Sequence, residues 1–209
     1  MTTSSVVLVG DNFVRQLFDD PDIFPGLAMR TDTIAGPYGS FIYGANEYRF
    51  DVMPDRIVLQ NESDDILSDN LMDAAGRVAA ILTAKKMGHG VSGLGYNFET
   101  ILPQSDAGAT GEEFCKSICK TDRLLQSVGM PFHNILYQVI ILRGGIQYLL
   151  RIEPHLASRG ANLFFSANGH QGIQATDDLR PKLDNIGGTR AIFEEMRTNL
   201  SREFAGELK

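Results

Sequence analysis

Cysteine is scarce in this chain: Cys115 and Cys119 are the two thiols among 209 residues. Their i, i+4 spacing is helical, and adjacent helical turns rarely offer disulfide geometry. Two free thiols suit a reducing compartment, so the expected location is the cytoplasm. Long apolar runs are missing too. The run from Val6 to Val9 falls short of the ~7–15-residue core of a signal peptide. No stretch approaches the ~18–20 apolar residues of a membrane span. A soluble protein is expected, with no membrane as partner. Positive charge is in deficit, with 19 Lys and Arg against 26 Asp and Glu and a formal net charge of -7. Such a chain lacks the broad field that gathers phosphate backbones, which disfavours nucleic acid as a partner.

What is present is an ordinary globular composition, 43% apolar and 22% charged, at a length that fits one domain over 1–209 with a core that needs no disulfide or metal. Val6 to Val9, ending in Gly10-Asp11-Asn12, reads as a buried strand that stops at a turn. Phe13, Leu17 and Phe18 follow at helical spacing, predicting a short helix capped by Asp11 or Asn12 and ended by Pro21 and Pro25. Residues 19–40, rich in Asp, Pro and Gly, read mostly as loop. Phe41–Tyr43, Glu47–Val52 and Arg56–Leu59 form a meander pattern, with Tyr48, Phe50 and Val52 alternating against Glu47, Arg49 and Asp51. Leu67, Leu71, Ala74, Ala75, Val78, Ile81 and Leu82 make one helical stripe. Ser63, Asp64 or Asp65 would cap it, and Lys85, Lys86 and Gly88 would end it.

Val91 to Leu102 returns to strand alternation through Leu94, Tyr96 and Phe98. A helix is expected from about Glu112 to Val128, with Phe114, Ile118, Leu125 and Val128 inward. Ile135–Leu142 and Ile146–Ile152, joined by Arg143-Gly144-Gly145, form a hairpin pattern. The first of these is apolar on both faces and is expected to be central. Ala161–Ala167 is a further strand, ended by an Asn168-Gly169 turn, and Ile192, Phe193, Met196, Leu200 and Phe204 mark a last helix with Thr189 as a possible cap. The order predicts an α+β fold, with a mostly antiparallel or mixed sheet of about six to eight strands and two or three long amphipathic helices on one face. Residues 33–105 and 130–209 also read as halves of a duplicated strand-strand-strand-helix unit.

Several motifs fail the structural context that their chemistry demands. Gly88, Gly90 and Gly93 spell G-x-G-x-x-G, but a helix precedes and a strand follows, the reverse of a dinucleotide site. The expected role of these glycines is a helix stop and close packing on a strand. The segment Val6–Phe13 resembles the first block of the GDSL/SGNH hydrolases, in which a serine follows the Gly-Asp. Asn12 stands at that position here, without a nucleophilic oxygen. The family's late Asp-x-x-His block is missing too, because Ala167 lies three residues before His170. Asn12 is expected to serve as a capping or turn residue instead. Cys115 and Cys119 supply at most half of a zinc site, with His89 or His133 as the sequence neighbours that would complete it. Buried inert thiols are the expectation, and no metal or cofactor is assigned. Lys116, Lys120 and Arg123 form a basic stripe that Glu112 partly neutralises.

Two function classes remain. The first is a non-enzymatic binding or assembly protein that holds a protein partner, or its own copy, through a sheet face, a sheet edge or the loops 19–40 and 103–110. Its candidate binding residues are Arg49, Asp51, Arg151 and Glu153, which would line the second face of the sheet if the two meanders are equivalent. The second is a hydrolase or transferase whose site is assembled by the fold from His170, His155, Asn97 and Glu99. A deep pocket joining a histidine to Glu99, Glu153 or another carboxylate would favour the enzyme, and a flat apolar patch with dispersed histidines would favour the binding protein.

Overall fold

Alternation along β1 (Thr2–Gly10) buries Thr2, Ser4, Val6 and Leu8 on one side of the strand. The computed structural model describes residues 2–18, 23–45, 47–61, 68–85, 90–105, 109–119, 136–174 and 178–206. β1 lies between β5 (Arg56–Asn61) and β6 (Val91–Leu102), antiparallel to both. A meander of β2 (Met29–Ala35), β3 (Tyr38–Tyr43) and β4 (Tyr48–Val52) leads into β5. A second meander of β7 (Tyr137–Arg143), β8 (Ile146–Pro154) and β9 (Leu163–Gly172) leads back to β6. The result is one antiparallel sheet in the order β2-β3-β4-β5-β1-β6-β9-β8-β7. The α+β class agrees with the sequence pattern, but the described residues form nine strands rather than six to eight.

Register explains where the helices sit, because directly opposite residues of an antiparallel pair point to the same face. Ser4, Val6 and Leu8 face Asn61, Leu59 and Ile57 on β5, and Phe98, Tyr96 and Leu94 on β6. Each of these side chains is at most 1% exposed. Asn61 Nδ2 donates to Ser68 Oγ at 3.1 Å, just before α1 (Asp69–Ala84). Phe98 stacks on Phe193 of the C-terminal helix, α4 (Ile186–Phe204), with centroids 6.1 Å apart. Phe114 of α2 (Gly111–Cys119) meets Phe204 of α4 edge-on at 5.4 Å. The short α3 (Leu179–Asp184) packs on α1. These helices therefore cover the same side of the sheet, which the apolar residues of β1, β5 and β6 select.

Local signals set the helix ends. Ser68 caps α1, its Oγ accepting from Leu71 N at 3.3 Å. The expected caps Ser63, Asp64 and Asp65, with Leu67, lie outside the described residues. α2 opens on a capping box: Glu113 N donates to Thr110 Oγ1 at 3.2 Å, and Thr110 N donates back to Glu113 Oε2 at 2.8 Å. The Thr110 N–H, and after it the Thr110 hydroxyl, donate to the Glu113 carboxylate and hold it below its usual range. The stretch expected to continue this helix to Val128 lies outside the described residues beyond Cys119. α4 starts at Ile186, so Thr189 falls in its first turn rather than at its cap, with a buried Oγ1 that has no partner among the described residues. No described helix is long and apolar enough to cross a membrane.

Four expectations are corrected. Residues 29–35, read as loop, form β2, and every one of them is exposed; a strand without a buried face shows no alternation to read. The short helix after β1 is a 3₁₀ turn, Arg15–Phe18. Asn12, at φ +63, serves the bend before it, a conformation that asparagine tolerates. β9 runs straight through Asn168-Gly169 to Gly172. Gly169 is there because a Cβ would come within 2.7 Å of the Tyr96 ring, which is close packing rather than a turn. β7, expected at the centre, is an edge strand.

Ser4 Oγ donates to Asn61 Oδ1, so a buried polar chain of Ser4, Asn61 and Ser68 ties β1 and β5 to the start of α1. Ser68→Ala removes both the cap and the acceptor of the buried Asn61 amide. It is expected to cost about 1–2 kcal/mol, lowering the urea midpoint while leaving the slope unchanged.

Candidate functional site

The face of the sheet away from the helices is made by the alternate residues of each strand. Register strings one row of them across all nine strands: Arg30, Ile42, Arg49, Gln60, Ser5, Asn97, Asn168, Leu149 and Ile140. The middle of the row is a hydrogen-bonded ladder. Asn97 Nδ2 donates to Ser5 Oγ at 3.1 Å, and Asn168 Nδ2 donates to Asn97 Oδ1. Side-chain amides and a hydroxyl satisfied by one another can lie on a flat surface with little drive to be covered. Ser5 and Gln60 carry no role in the sequence reading, and Asn168 is read there as a turn residue. The signal for them was the polar alternate position on strands whose other face is apolar.

All four predicted binding residues sit on this face, and they form two separate ion pairs. Arg49 Nε donates to both Asp51 oxygens at 3.0 and 3.1 Å, and its Nη2 lies 3.5 Å from Asp32 Oδ2. Arg151 Nη2 donates to both Glu153 oxygens at 2.9 and 2.8 Å. Each pair joins residues i and i+2 of one strand, not neighbours across strands. β4 and β8 stand five strand spacings apart in the sheet order, roughly 24 Å at ~4.8 Å each, so the pairs do not form one binding floor. With their cations largely exposed, such pairs add little stability. A cleft of about 280 Å³ beside the first pair is lined by Thr33, Tyr38, Ser40, Arg49, Asp51 and Met53. The buried Ser40 Oγ there has no partner among the described residues.

The four predicted catalytic residues are not brought together. His170 is exposed on the open face of β9, opposite Gly95 of β6 and Gln147 of β8. A Cβ on Gly93 would lie 2.9 Å from His170 Cε1. Gly93, the last glycine of the G-x-G-x-x-G pattern, thus makes room for an imidazole. Asn97 belongs to the ladder. Glu99 is exposed further along β6, opposite Thr3 and Ser166. It stands four residues from Gly95, about 13 Å along the strand, so His170 and Glu99 are not within hydrogen-bond reach. His155 follows the far end of β8. Its backbone N donates to Asn162 O at 2.9 Å, and its Nδ1 is buried without a partner among the described residues.

Other sequence candidates resolve locally. Lys116 Nζ donates to Glu112 Oε1 at 2.6 Å, while Lys120 and Arg123 lie outside the described residues. Cys115 is buried; the side chain of Cys119, together with His89 and His133, lies outside the described residues. Among the described residues, no group of three or more His, Cys, Asp or Glu could hold a metal ion. Of the expected partner-binding loops, residues 29–35 are strand β2, and 19–22 and 106–108 lie outside the described residues.

The strand edge supplies what sequence reasoning misplaced. On β7, Ile140 is 61% and Leu142 76% exposed. Both lie on the open face, opposite Leu149 and Gln147 of β8. No protein-family model matches the chain, and no curated protein matches it at a significant level.

Under the ladder, on the helix side, the buried Tyr96 hydroxyl donates to Gln171 Oε1 at 3.2 Å. Burial pushes this phenol up to about 12, with a smaller push from Tyr148. The folded state thus holds the Tyr96 proton more tightly than the unfolded chain, where a tyrosine titrates near ~10. This contribution is complete below about pH 10 and is lost as pH rises towards 12, a fall on the order of 2 kcal/mol. Urea midpoints measured across that window should drop more steeply for the native chain than for Tyr96→Phe.

Proposed function

We propose that the protein is a non-enzymatic binding or assembly module that holds a protein partner through its open sheet face, with the β7 edge as the anchor. The observation that carries this reading is the pair Ile140 and Leu142, exposed side by side with the half-buried Leu149 behind them. Large apolar side chains grouped on a flat surface mark an interaction site. Burying each contributes about 1.5–3 kcal/mol. The amide ladder beside them supplies donors and acceptors for orientation, and the two ion pairs form a polar rim.

The same reading takes the chain as one domain built from two related halves that meet between β1 and β6. The strand order favours a division near residue 90, which assigns β1–β5 with α1 to one half and β6–β9 with α2–α4 to the other. β4 and β8 then hold equivalent places, and Arg49–Asp51 and Arg151–Glu153 are counterparts. A cytoplasmic setting suits a chain whose two cysteines stand at helical spacing, where a disulfide is disfavoured. The alternative hydrolase or transferase reading would need His155 or His170 beside a carboxylate, and no such contact supports it among the described residues.

Affinity capture with the tagged full chain tests the reading. Leu142→Lys should reduce the retained protein partner by roughly tenfold or more, since a charge buried at an apolar anchor is left unpaired, while Glu195→Ala, exposed on α4 on the other side of the sheet, should leave it unchanged. Undiminished retention by a folded Leu142→Lys chain would count against the module reading.

A further inference from the structure

The two outer edges of the sheet are built differently. β2 carries Arg30 and Asp32, and its register with β3 shifts between Thr31 and Thr33. Charges and an irregularity are the usual protection of an edge against further pairing. β7 has neither within its first six residues. Tyr137 to Leu142 are uncharged, and all seven residues pair with β8 without a shift. Gly144 and Gly145, at φ +59 and +77, close a tight two-residue hairpin that keeps this edge regular to its end. Among the described residues, no strand pairs with the outer side of β7.

We infer that β7 is where two copies of this chain join, strand to strand and antiparallel, about a two-fold axis through Ile140. The inference rests on the binding-module reading and names the partner. Complete overlap of the seven residues requires the axis at Ile140, the middle of Tyr137–Arg143. In that register Ile140 meets the partner's Ile140 and Leu142 meets the partner's Gln138 on the open face. On the helix side, Val139 meets the partner's Ile141, and Arg143 meets the partner's Tyr137. A register displaced by one residue would turn one sheet over and set open-face residues beside helix-face residues.

Charge favours a second copy. The chain carries a net -7, yet no acidic residue occurs from Tyr137 to Leu150. Two acidic bodies thus approach through a sector without negative charge. Arg143, the one charged residue of β7, is kept a strand length from its own copy and beside an aromatic ring that it can stack on. Backbone pairing gives affinity to such a join, and the apposed isoleucines and leucines give it register.

Position 140 facing itself gives a specific test on the full chain. Light scattering over a concentration series should return a dimer mass. Ile140→Lys and Ile140→Glu, at an exposed position, should keep the native circular dichroism. Each should weaken the dimer by about tenfold or more, because like charges then face each other. An equimolar mixture of the two variants should restore the dimer mass. A monomeric native chain at every concentration, a single variant that stays dimeric, or a mixture that stays monomeric would overturn the self-pairing. The binding-module reading has a separate fate: a monomeric chain whose partner capture still fails in Leu142→Lys loses the two-fold join and keeps that reading.

Discussion

β1 and β6 run antiparallel through the middle of the sheet, and each is the inner end of a meander. On one face of this pair stand Val6, Leu8, Leu94, Tyr96 and Phe98, each fully buried. On the other stand Ser5, Val7, Gly93, Gly95 and Asn97. Large apolar groups on one face and small or polar groups on the other force the helices to one side, because only there can their own apolar stripes be removed from water. The rest of the molecule follows from that asymmetry. α1 is hung from β5 through Asn61 and Ser68, and α4 is laid across Phe98 through Phe193. The opposite face is left to side chains that satisfy one another.

That open face separates polar from apolar chemistry along the sheet. Its centre is a ladder of Ser5, Asn97 and Asn168, and its charges are tied in Arg49–Asp51 and Arg151–Glu153. Groups already paired gain little from a partner, so they contribute selectivity more than affinity. Its most exposed large apolar strand residues, Ile140 and Leu142, stand at the β7 edge, where they adjoin backbone groups that no described strand pairs. Affinity and direction of approach therefore coincide at one edge. The opposite edge, β2, carries the charges and the register break that discourage pairing.

Much of the fold was readable because its residues bury one face. The α1 stripe from Leu71 to Leu82, the alternation of β6, and the β7–β8 hairpin with its two glycines all show a period set by local burial. β2 was unreadable for the same reason, since all seven of its residues are exposed. Gly169 misled because glycine serves a tight turn and a close packing contact equally well, and the deciding atoms belong to Tyr96 on a neighbouring strand. The candidate site fared in the same way. The face shared by Arg49, Asp51, Arg151 and Glu153 could be read from strand alternation, whereas the distance between the two pairs depends on strand order.

Amino-acid order was enough to establish the α+β class, the amphipathic stripe of α1, the hairpin at Gly144-Gly145 and the polar character of alternate strand positions, since each rests on contacts a few residues long or on a repeating period. Folding in three dimensions settled which strands are central and which are edges. It placed the apolar strand β7 at the rim, laid the His170 imidazole over Gly93, and left His170 and Glu99 apart. Those outcomes depend on pairings between segments far apart in the chain, and a strand apolar on both faces has the same local pattern whether a neighbour lies on one side of it or on two.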